Sequence, residues 1–304
     1  MERSLIILAA GMGSRYGGLK QMEGFGPNGE TLLEYSVYDA LECGFGRAVF
    51  VIRKDMEETF RETVAARLAG KIEMELVFQE PDLDAGEAAQ AGGVRDREKP
   101  WGTGHALLTA LPAVAEPFLV MNADDFYGRG AFREAAAFFE DPARDSRTFG
   151  LVGYRLGLTL SPHGQVSRGV LEHSEAMLLR GIEERHQIER KTEGIQYLDT
   201  KTNVRYGLDV RTPVSMNLLA LTPEVRPVVE SAWMDFLGER GGEPGAEFGI
   251  PDVLASAMAE GYAIRVIPTE ESWMGVTHPD DAESVREGLR RRVEAGQYPD
   301  PLWE

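Results

Sequence analysis

A glycine-rich loop near the start of the chain carries two cations at a spacing that suits a polyphosphate. The apolar residues 5–10 lead directly into residues 11–20, GMGSRYGGLK. Glycines let a backbone approach phosphate oxygens closely and turn its amide groups toward them. Arg15 and Lys20 add the positive charge that a triphosphate under attack requires. The loop therefore predicts a nucleoside triphosphate site.

Two other phosphate-binding loops fit this stretch poorly. A dinucleotide-binding loop needs Gly-x-Gly-x-x-Gly, and Tyr16 stands where the third glycine would be. A Walker loop ends in Gly-Lys-Ser/Thr, a tripeptide that residues 11–20 do not contain. A plain glycine-rich turn with two solvated cations remains the alternative.

Two adjacent carboxylates follow a wholly apolar segment further along the chain. Residues 118–121 read Phe-Leu-Val-Met, and Asn122, Ala123, Asp124 and Asp125 follow at once. A parallel strand that is buried on both faces is apolar throughout, and ligands bind at the carboxyl ends of such strands. Mg²⁺ takes one or two carboxylates together with substrate phosphates. The pattern predicts a magnesium site with one strand-end aspartate, and a solvated acidic turn is the alternative.

The elements that must position these groups alternate as in a doubly wound, mostly parallel Rossmann-like α/β sheet. Residues 149–209 change to short alternating segments, which predicts an antiparallel extension, and residues 80–100 predict an irregular loop beside the site. The predicted strands are residues 4–10, 48–53, 72–78, 118–121, 214–221 and 264–267. The predicted helices are residues 31–43, 55–69, 103–111, 223–237, 251–260 and 280–294.

Composition limits the classes of partner. The chain has 304 residues, with 32 basic against 50 acidic side chains and a net charge of −18, which disfavours nucleic acid and anionic membranes. Cys43 is the single cysteine, and no stretch reaches the length of a membrane span or of a signal peptide, so we expect a cytoplasmic protein. We expect one domain over 1–304, with a nucleotide-binding half at 1–148 and a second half at 149–304. A homo-oligomer is left open.

The glycine loop resembles the signature loop of the sugar-1-phosphate nucleotidyltransferases, a family that includes thymidylyltransferases and uridylyltransferases. In that family two small residues precede Gly-x-Gly-Thr/Ser-Arg and a later Lys, and the residues that match are Ala10, Gly11, Gly13, Ser14, Arg15 and Lys20. The resemblance implies a GT-A-like nucleotide-diphospho-sugar transferase fold. It also implies that Arg15 holds the triphosphate in its reactive geometry and that Lys20 reaches phosphate oxygens.

The same resemblance extends to the base and to the metal. Residues 101–107, WGTGHAL, are similar to the segment with which the family holds the base, which implies nucleotide contacts by Gly102 and Thr103. In the family a strand-ending glutamine precedes this segment closely, and Gln79 is its counterpart, although a long insertion intervenes here. The resemblance selects Asp124 as the metal ligand. Residues 247–252 are similar to the segment that supplies the second one, Asp252.

The acceptor side is implied by shorter similarities. Residues 167–170 resemble a family strand whose glycine, here Gly169, lets a sugar ring lie against the backbone. Residues 182–185 resemble the Glu-Glu-Lys that follows, so Glu184 would bind sugar hydroxyls and Arg185 the sugar phosphate; Asn217 falls among further sugar contacts. Residues 273–281 resemble the family's Trp-x-Asp-x-Gly-Thr-Pro-Glu-Asp, but Gly275 replaces its aspartate.

The reaction implied is attack of a sugar 1-phosphate on a nucleoside triphosphate, UTP or dTTP in first place, with Mg²⁺ as cofactor and pyrophosphate as the leaving group. A phosphate monoester is largely dianionic at neutral pH, since its second pKa is about 6, so the attack requires no general base. Three alternatives stay open: a cytidylyltransferase with a non-sugar phosphate acceptor, a GT-A glycosyltransferase that uses a finished nucleotide sugar, and a silent nucleotide sensor. The glycosyltransferase would bring Asp-x-Asp, whereas Asp124 and Asp125 are adjacent.

Overall fold

The protein was analysed as a computed structural model that describes residues 2–11, 23–92, 97 and 99–303. The strands are β1 Ser4–Leu8, β2 Arg47–Ile52, β3 Glu73–Phe78, β4 Phe118–Asn122, β5 Asp125–Phe126, β6 Thr148–Arg155, β7 Val166–His173, β8 Leu179–Lys191, β9 Gly194–Asp199, β10 Val204–Leu208, β11 Pro213–Leu221, β12 Ala263–Thr269 and β13 Met274–Gly275. The helices are α1 Leu32–Glu42, α2 Glu57–Phe60, α3 Ala66–Leu68, α4 Ala85–Gln90, α5 Thr103–Ala110, α6 Arg129–Glu140, α7 Arg226–Arg240, α8 Ile250–Ala259 and α9 Asp281–Glu294.

Four parallel strands form the centre of the main sheet, in the order β3-β2-β1-β4. β1 alternates between two apolar clusters, because Leu5 and Ile7 pack on one face and Ile6 on the other. Helices α1 and α6 cover the first face, and α5, α7 and α8 cover the second. Burial on both faces explains why β1, β2 and β4 are mostly apolar, whereas β3 at the edge of the sheet carries Glu73 and Glu75. The arrangement confirms the predicted doubly wound, mostly parallel core.

The predicted antiparallel extension is also present. β11 runs antiparallel to β4, β6 and β7, and the sheet continues through β8 and β9 to β10. β12 pairs in parallel with β6. The pairing of β4 with β11 joins the parallel centre to the extension, so one sheet of 11 strands connects the two halves of the described chain.

Two helical segments differ from the sequence prediction. Helix α6 was not predicted, although its buried residues Phe132, Ala135, Ala136 and Phe139 have helical spacing. The stretch predicted as an irregular loop at residues 80–100 contains the short helix α4. Asp84 caps the start of α4 in a capping box, in which its side chain accepts from the backbone amides of Gly86 and Glu87.

A buried carboxylate ties α1, α6 and the end of the chain together. Asp39 of α1 has no exposed surface; its Oδ1 accepts from Arg129 Nε at 2.9 Å and its Oδ2 from Tyr298 Oη at 2.6 Å. Burial raises the pKa of Asp39 to about 6, although both hydrogen bonds act in the opposite direction. Ser36, on the same helix, donates to the backbone oxygen of Asp125 at 2.9 Å. The network therefore holds α1 against the segment that follows β4.

We predict that Arg129→Gln lowers the free energy of unfolding by about 3 kcal/mol at pH 8, because it leaves the Asp39 carboxylate buried without its cation. The loss should shrink at pH 5, since Asp39, with a pKa of about 6 in the folded protein, is then mostly protonated and has no charge to pair. Urea unfolding at both pH values measures the effect. The control Arg240→Gln removes an exposed ion pair with Glu243 and should cost less than about 1 kcal/mol. Equal losses at pH 5 and pH 8 would contradict the assignment.

Candidate functional site

The carboxyl ends of β1 and β4 lie side by side. Leu8, the last residue of β1, pairs with Asn122, the last residue of β4, and the amide of Ala123 donates to the Leu8 oxygen at 3.1 Å. Beyond Leu8 the chain continues through buried Ala10 to exposed Gly11. The predicted phosphate loop therefore begins next to Asp124. The other loop residues singled out from the sequence lie outside the described residues: Gly13, Ser14, Arg15 and Lys20.

The two adjacent aspartates occupy different environments. Asp125 is buried, and its Oδ2 accepts from Asn122 Nδ2 at 2.9 Å and from Tyr127 Oη at 3.3 Å. Burial, together with the smaller effect of the Asp124 charge, raises the pKa of Asp125. Asp124 is partly exposed at the strand end. Asp124 is therefore the aspartate of this pair that is accessible to a cation bound with substrate.

Tyr127 links the end of β4 to a bulge in β11. Its hydroxyl accepts from the amide of Asn122 at 2.9 Å and lies 3.1 Å from the backbone oxygen of Met216. The register of β11 shifts between Ser215 and Leu219, and Asn217 inside this bulge has a φ of +60°. Asparagine is among the few residues that adopt such a φ readily. The bulge places Asn217, predicted on the acceptor side, next to Met216, which Tyr127 joins to the end of β4.

The predicted base-binding residues meet despite the insertion between them. Gln79 follows β3, and its backbone amide donates to the Ile52 oxygen at 2.8 Å. Its side-chain Nε2 donates to the Gly102 oxygen at 2.9 Å. Gly102 has a φ of +104°, and a Cβ there would lie 2.5 Å from the Phe248 oxygen, so only glycine fits. The same Gln79 Nε2 lies 3.2 Å from His105 Nδ1.

Asp252 is brought to this side of the site by the start of α8. The Thr103 hydroxyl, at the start of α5, accepts from the amide of Ile250 at 3.1 Å, so α5 and α8 begin side by side. One oxygen of Asp252, Oδ2, accepts from the amide of Gly249 at 2.7 Å and caps α8. Its second carboxylate oxygen is of the type that Mg²⁺ binds. Thr103 thus has a structural role at α8 in addition to any contact with a base.

The donor set suits magnesium that arrives with phosphates. Among the described residues no group of three or more His, Cys, Asp and Glu side chains forms a metal cage. Mg²⁺ does not need one, because it keeps several waters and combines one or two carboxylates with substrate phosphates. Asp124 and Asp252 are both carboxylates with at least partial exposure, which fits this requirement.

Gly169, Glu184 and Ser215 meet on neighbouring strands of the extension. Gly169 of β7 pairs with Glu184 of β8 on one side and with Ser215 of β11 on the other. A Cβ on Gly169 would lie 3.7 Å from both Glu184 Oε2 and Ser215 Cβ. Burial raises the pKa of Glu184. Gly169 is buried, and the Ile182 side chain is the nearest neighbour of such a Cβ, at 2.9 Å. The contact of Gly169 and Glu184 with a sugar stays a prediction.

Arg185 does not join this group. It forms an ion pair with Glu183, and its guanidinium carbon lies 4.4 Å from the centre of the Tyr197 ring. Successive side chains of a strand point to opposite faces, so Arg185 lies on the face of β8 opposite to Glu184. Its predicted role as the ligand of the acceptor phosphate would require the side chain to leave both partners.

A tryptophan ring explains the glycine at position 275. Gly275 pairs with Asp125 between β13 and β5, and a Cβ on Gly275 would lie 2.5 Å from the Trp273 ring and 3.0 Å from Asp125 Oδ1. The guanidinium carbon of buried Arg168 lies 4.9 Å from the centre of the same ring. Burial lowers the pKa of Arg168 to about 10. The ring fills the place of the expected carboxylate. No motif in the sequence indicated the contact between Trp273 and Arg168.

Residues 5–141 match a family model described as a MobA-like NTP transferase domain. The solved inositol-1-phosphate CTP transferase from T. maritima is similar in structure, with a TM-score of 0.62 and 16% identity over 95% of this chain and 96% of that one. A UDP-glucose pyrophosphorylase in complex with UDP-glucose gives a TM-score of 0.58 and 14% identity over 95% and 98%. HddC from Yersinia pseudotuberculosis gives 0.57 and 14% over 95% and 100%.

No curated protein matches the chain. None of the helices within the described ranges has the length and apolar character needed to cross a bilayer. At such low identity the solved structures establish the fold, and the family match covers the segment from β1 to α6 that contains Asp124, Gln79 and Gly102. Residues 5–141 are therefore similar to the MobA-like NTP transferase domain, and 95% of the chain shares the fold of these solved structures.

Proposed function

We propose that the protein transfers a nucleotidyl group from a nucleoside triphosphate, UTP or dTTP in first place, to a sugar 1-phosphate and releases pyrophosphate. The observation that carries this proposal is the contact between Ala123 and Leu8, which joins the start of the phosphate loop to the strand end that bears Asp124. The side-chain amide of Gln79 donates to the Gly102 oxygen, and both residues belong to the proposed base site. The pair of Gly169 and Glu184 lies on the extension that β11 connects to β4.

The chemistry requires positioning more than proton transfer. The acceptor phosphate is already anionic, so the protein has to align its oxygen with the α-phosphorus and to stabilise charge, and alignment alone lowers a barrier by up to about 7 to 11 kcal/mol. When bound, Mg²⁺ neutralises phosphate charge, and Asp124 and Asp252 would hold it. Arg15 and Lys20 supply positive charge from the loop. Glu184 orients the acceptor through its hydroxyl groups.

We also propose that residues 1–304 act as one domain, because the pairing of β4 with β11 continues the sheet from one half into the other. Without the pairing of β4 with β11, the sheet would be divided into two parts, each with an additional unpaired edge. A single cysteine and triphosphate substrates suit a reducing compartment, and we propose the cytoplasm.

A cytidylyltransferase with a non-sugar phosphate acceptor is the second candidate, and the similarity to an inositol-1-phosphate CTP transferase favours it. Pyrophosphate release in Mg²⁺ should be measured for every pairing of UTP, dTTP, CTP, ATP and GTP with a panel of sugar phosphates and alcohol phosphates. Turnover with UTP or dTTP and a sugar 1-phosphate supports the first candidate. Turnover confined to CTP and an alcohol phosphate supports the second, and absence of turnover in every pairing contradicts both.

We predict that Asp124→Asn lowers the rate of Mg²⁺-dependent pyrophosphate release by at least about 100-fold, because a neutral amide no longer holds the cation that stabilises phosphate charge. The matched control Asp235→Asn changes an exposed aspartate on α7 and should leave the rate unchanged. Melting temperatures of both variants check the fold. Turnover close to that of the unmodified protein in Asp124→Asn would exclude Asp124 as a metal ligand.

We predict that Glu184→Gln raises the KM for the acceptor by about 10-fold or more, since a hydrogen bond to a charged group contributes about 1.5 to 3 kcal/mol. The Kd for the nucleoside triphosphate should not change. Glu183→Gln is the matched control, because Glu183 is the neighbouring residue on the opposite face and pairs with Arg185. Steady-state kinetics with each substrate varied in turn separates the two constants, and an equal rise of the acceptor KM in both variants would remove Glu184 from the acceptor site.

A further inference from the structure

The orientation of the Gln79 amide is fixed by what surrounds it. The Gly102 oxygen can only accept a hydrogen bond, so the atom 2.9 Å from it must be Nε2 of Gln79 and not Oε1. The second hydrogen of that Nε2 reaches His105 Nδ1 at 3.2 Å. An amide nitrogen donates and does not accept, so His105 Nδ1 must carry no proton. The ring is then neutral, with its proton on Nε2.

The surroundings of His105 favour this neutral form. Burial lowers the pKa of His105 to about 4, and the positive charge of Arg97 acts in the same direction. The centre of the His105 ring lies 4.7 Å from that of Trp233, with the planes 33° apart. His105 lies in the first turn of α5, where its side chain contacts Gln79, a residue of the predicted base site.

The insertion between Gln79 and Gly102 buttresses this contact. Glu87 of α4 accepts from Trp233 Nε1 at 2.8 Å, so the insertion holds the ring that covers His105. Trp101, whose Nε1 donates to the Pro81 oxygen at 2.8 Å, packs against Trp233 at 5.4 Å between ring centres. The contacts form a continuous path from α4 through Trp233 and His105 to Gln79. These contacts fix the position of the His105 ring and, with it, the position of the acceptor atom Nδ1.

We propose that His105 is a positioning residue for base recognition, whose unprotonated Nδ1 takes the second amide hydrogen of Gln79, so that Gln79 presents its carbonyl oxygen to the base of the bound nucleotide. A base meets this oxygen favourably through an N–H group, such as N3–H of uracil or thymine or the amino group of cytosine. A base edge that offers a lone pair there is disfavoured. The inference rests on the proposed nucleotide site and adds to it how the base is selected.

Two substitutions of His105 separate hydrogen bonding from packing. His105→Phe keeps an aromatic ring against Trp233 and loses the acceptor. His105→Asn loses the ring and keeps an acceptor oxygen near the place of Nδ1. A merely structural role predicts the larger effect in Asn, whereas positioning of Gln79 predicts it in Phe.

The test measures, by calorimetry on the full chain without acceptor, the Kd values of UTP, dTTP, CTP, ATP and GTP. We expect His105→Phe to weaken the tightest-binding triphosphate by about 2- to 10-fold, the effect of one lost hydrogen bond, and to reduce its preference over the most weakly bound triphosphate by the same factor. His105→Asn should stay within about 2-fold of the unmodified protein. In a Gln79→Ala background His105→Phe should have no further effect, because His105 acts through Gln79. Melting temperatures confirm that each variant is folded.

Several outcomes overturn the proposal: unchanged selectivity in His105→Phe, an undiminished effect of His105→Phe in Gln79→Ala, a larger loss in His105→Asn than in His105→Phe, or no base preference in the unmodified protein. These binding measurements do not depend on whether the protein catalyses the proposed reaction. If the unmodified protein binds triphosphates with base preference but releases no pyrophosphate with any acceptor, the proposed reaction fails while the role of His105 is still tested by binding. If it turns over normally and the variants give any of the outcomes above, only the role of His105 fails.

Discussion

The parallel register of β1 against β4 is the constraint on which the site depends. Leu8 pairs with Asn122, so the segment that leaves β1 and the carboxylate that follows β4 emerge at the same edge of the sheet. Parallel strands place equivalent ends together, and a shift of one residue would turn every side chain of β4 to the other face. The alternation of Leu5, Ile6 and Ile7 between two apolar clusters opposes such a shift. Packing of the core thereby determines which residues stand at this edge of the sheet, where the proposed phosphate and metal sites would lie.

The site is then extended through single polar contacts between elements. Tyr127 connects the end of β4 with the bulge of β11, and Gln79 connects the end of β3 with the start of α5. Both side chains are buried, so an unmatched polar atom on either would be costly, and each makes more than one hydrogen bond. In the order of the sheet, β3 and β11 lie on opposite sides of β4, so the proposed base site and the proposed acceptor site would lie on opposite sides of the strand that precedes Asp124.

The sequence predicted those parts of the structure that follow from local pattern. Apolar runs predicted the four central strands, and the change of rhythm after residue 149 predicted the antiparallel extension. Contacts between distant segments were less accessible. Residues 80–100 separate Gln79 from Gly102 by more than the motif allows, so the spacing alone did not indicate that the two meet. In the structure they are joined by a hydrogen bond of 2.9 Å. The number of residues between two positions says little about their distance once β3 and α5 pack together. Arg185 was assigned by its place in a motif, and strand alternation turns it away from Glu184. No motif indicated that Trp273 occupies the space beside Gly275.

Charge poses the remaining problem, since the proposed function requires a chain with a net charge of −18 to bind a polyanion. Two ionised aspartates in sequence would repel phosphate until a cation arrived. Burial of Asp125 reduces this repulsion, because burial raises the pKa of its carboxyl and so favours the neutral form, while the Tyr127 hydroxyl and the Asn122 amide donate to it inside the protein. Asp124 remains the partly exposed carboxylate of the pair. Burial of one of two adjacent aspartates therefore limits the negative charge at the end of β4, which would favour the approach of the proposed triphosphate.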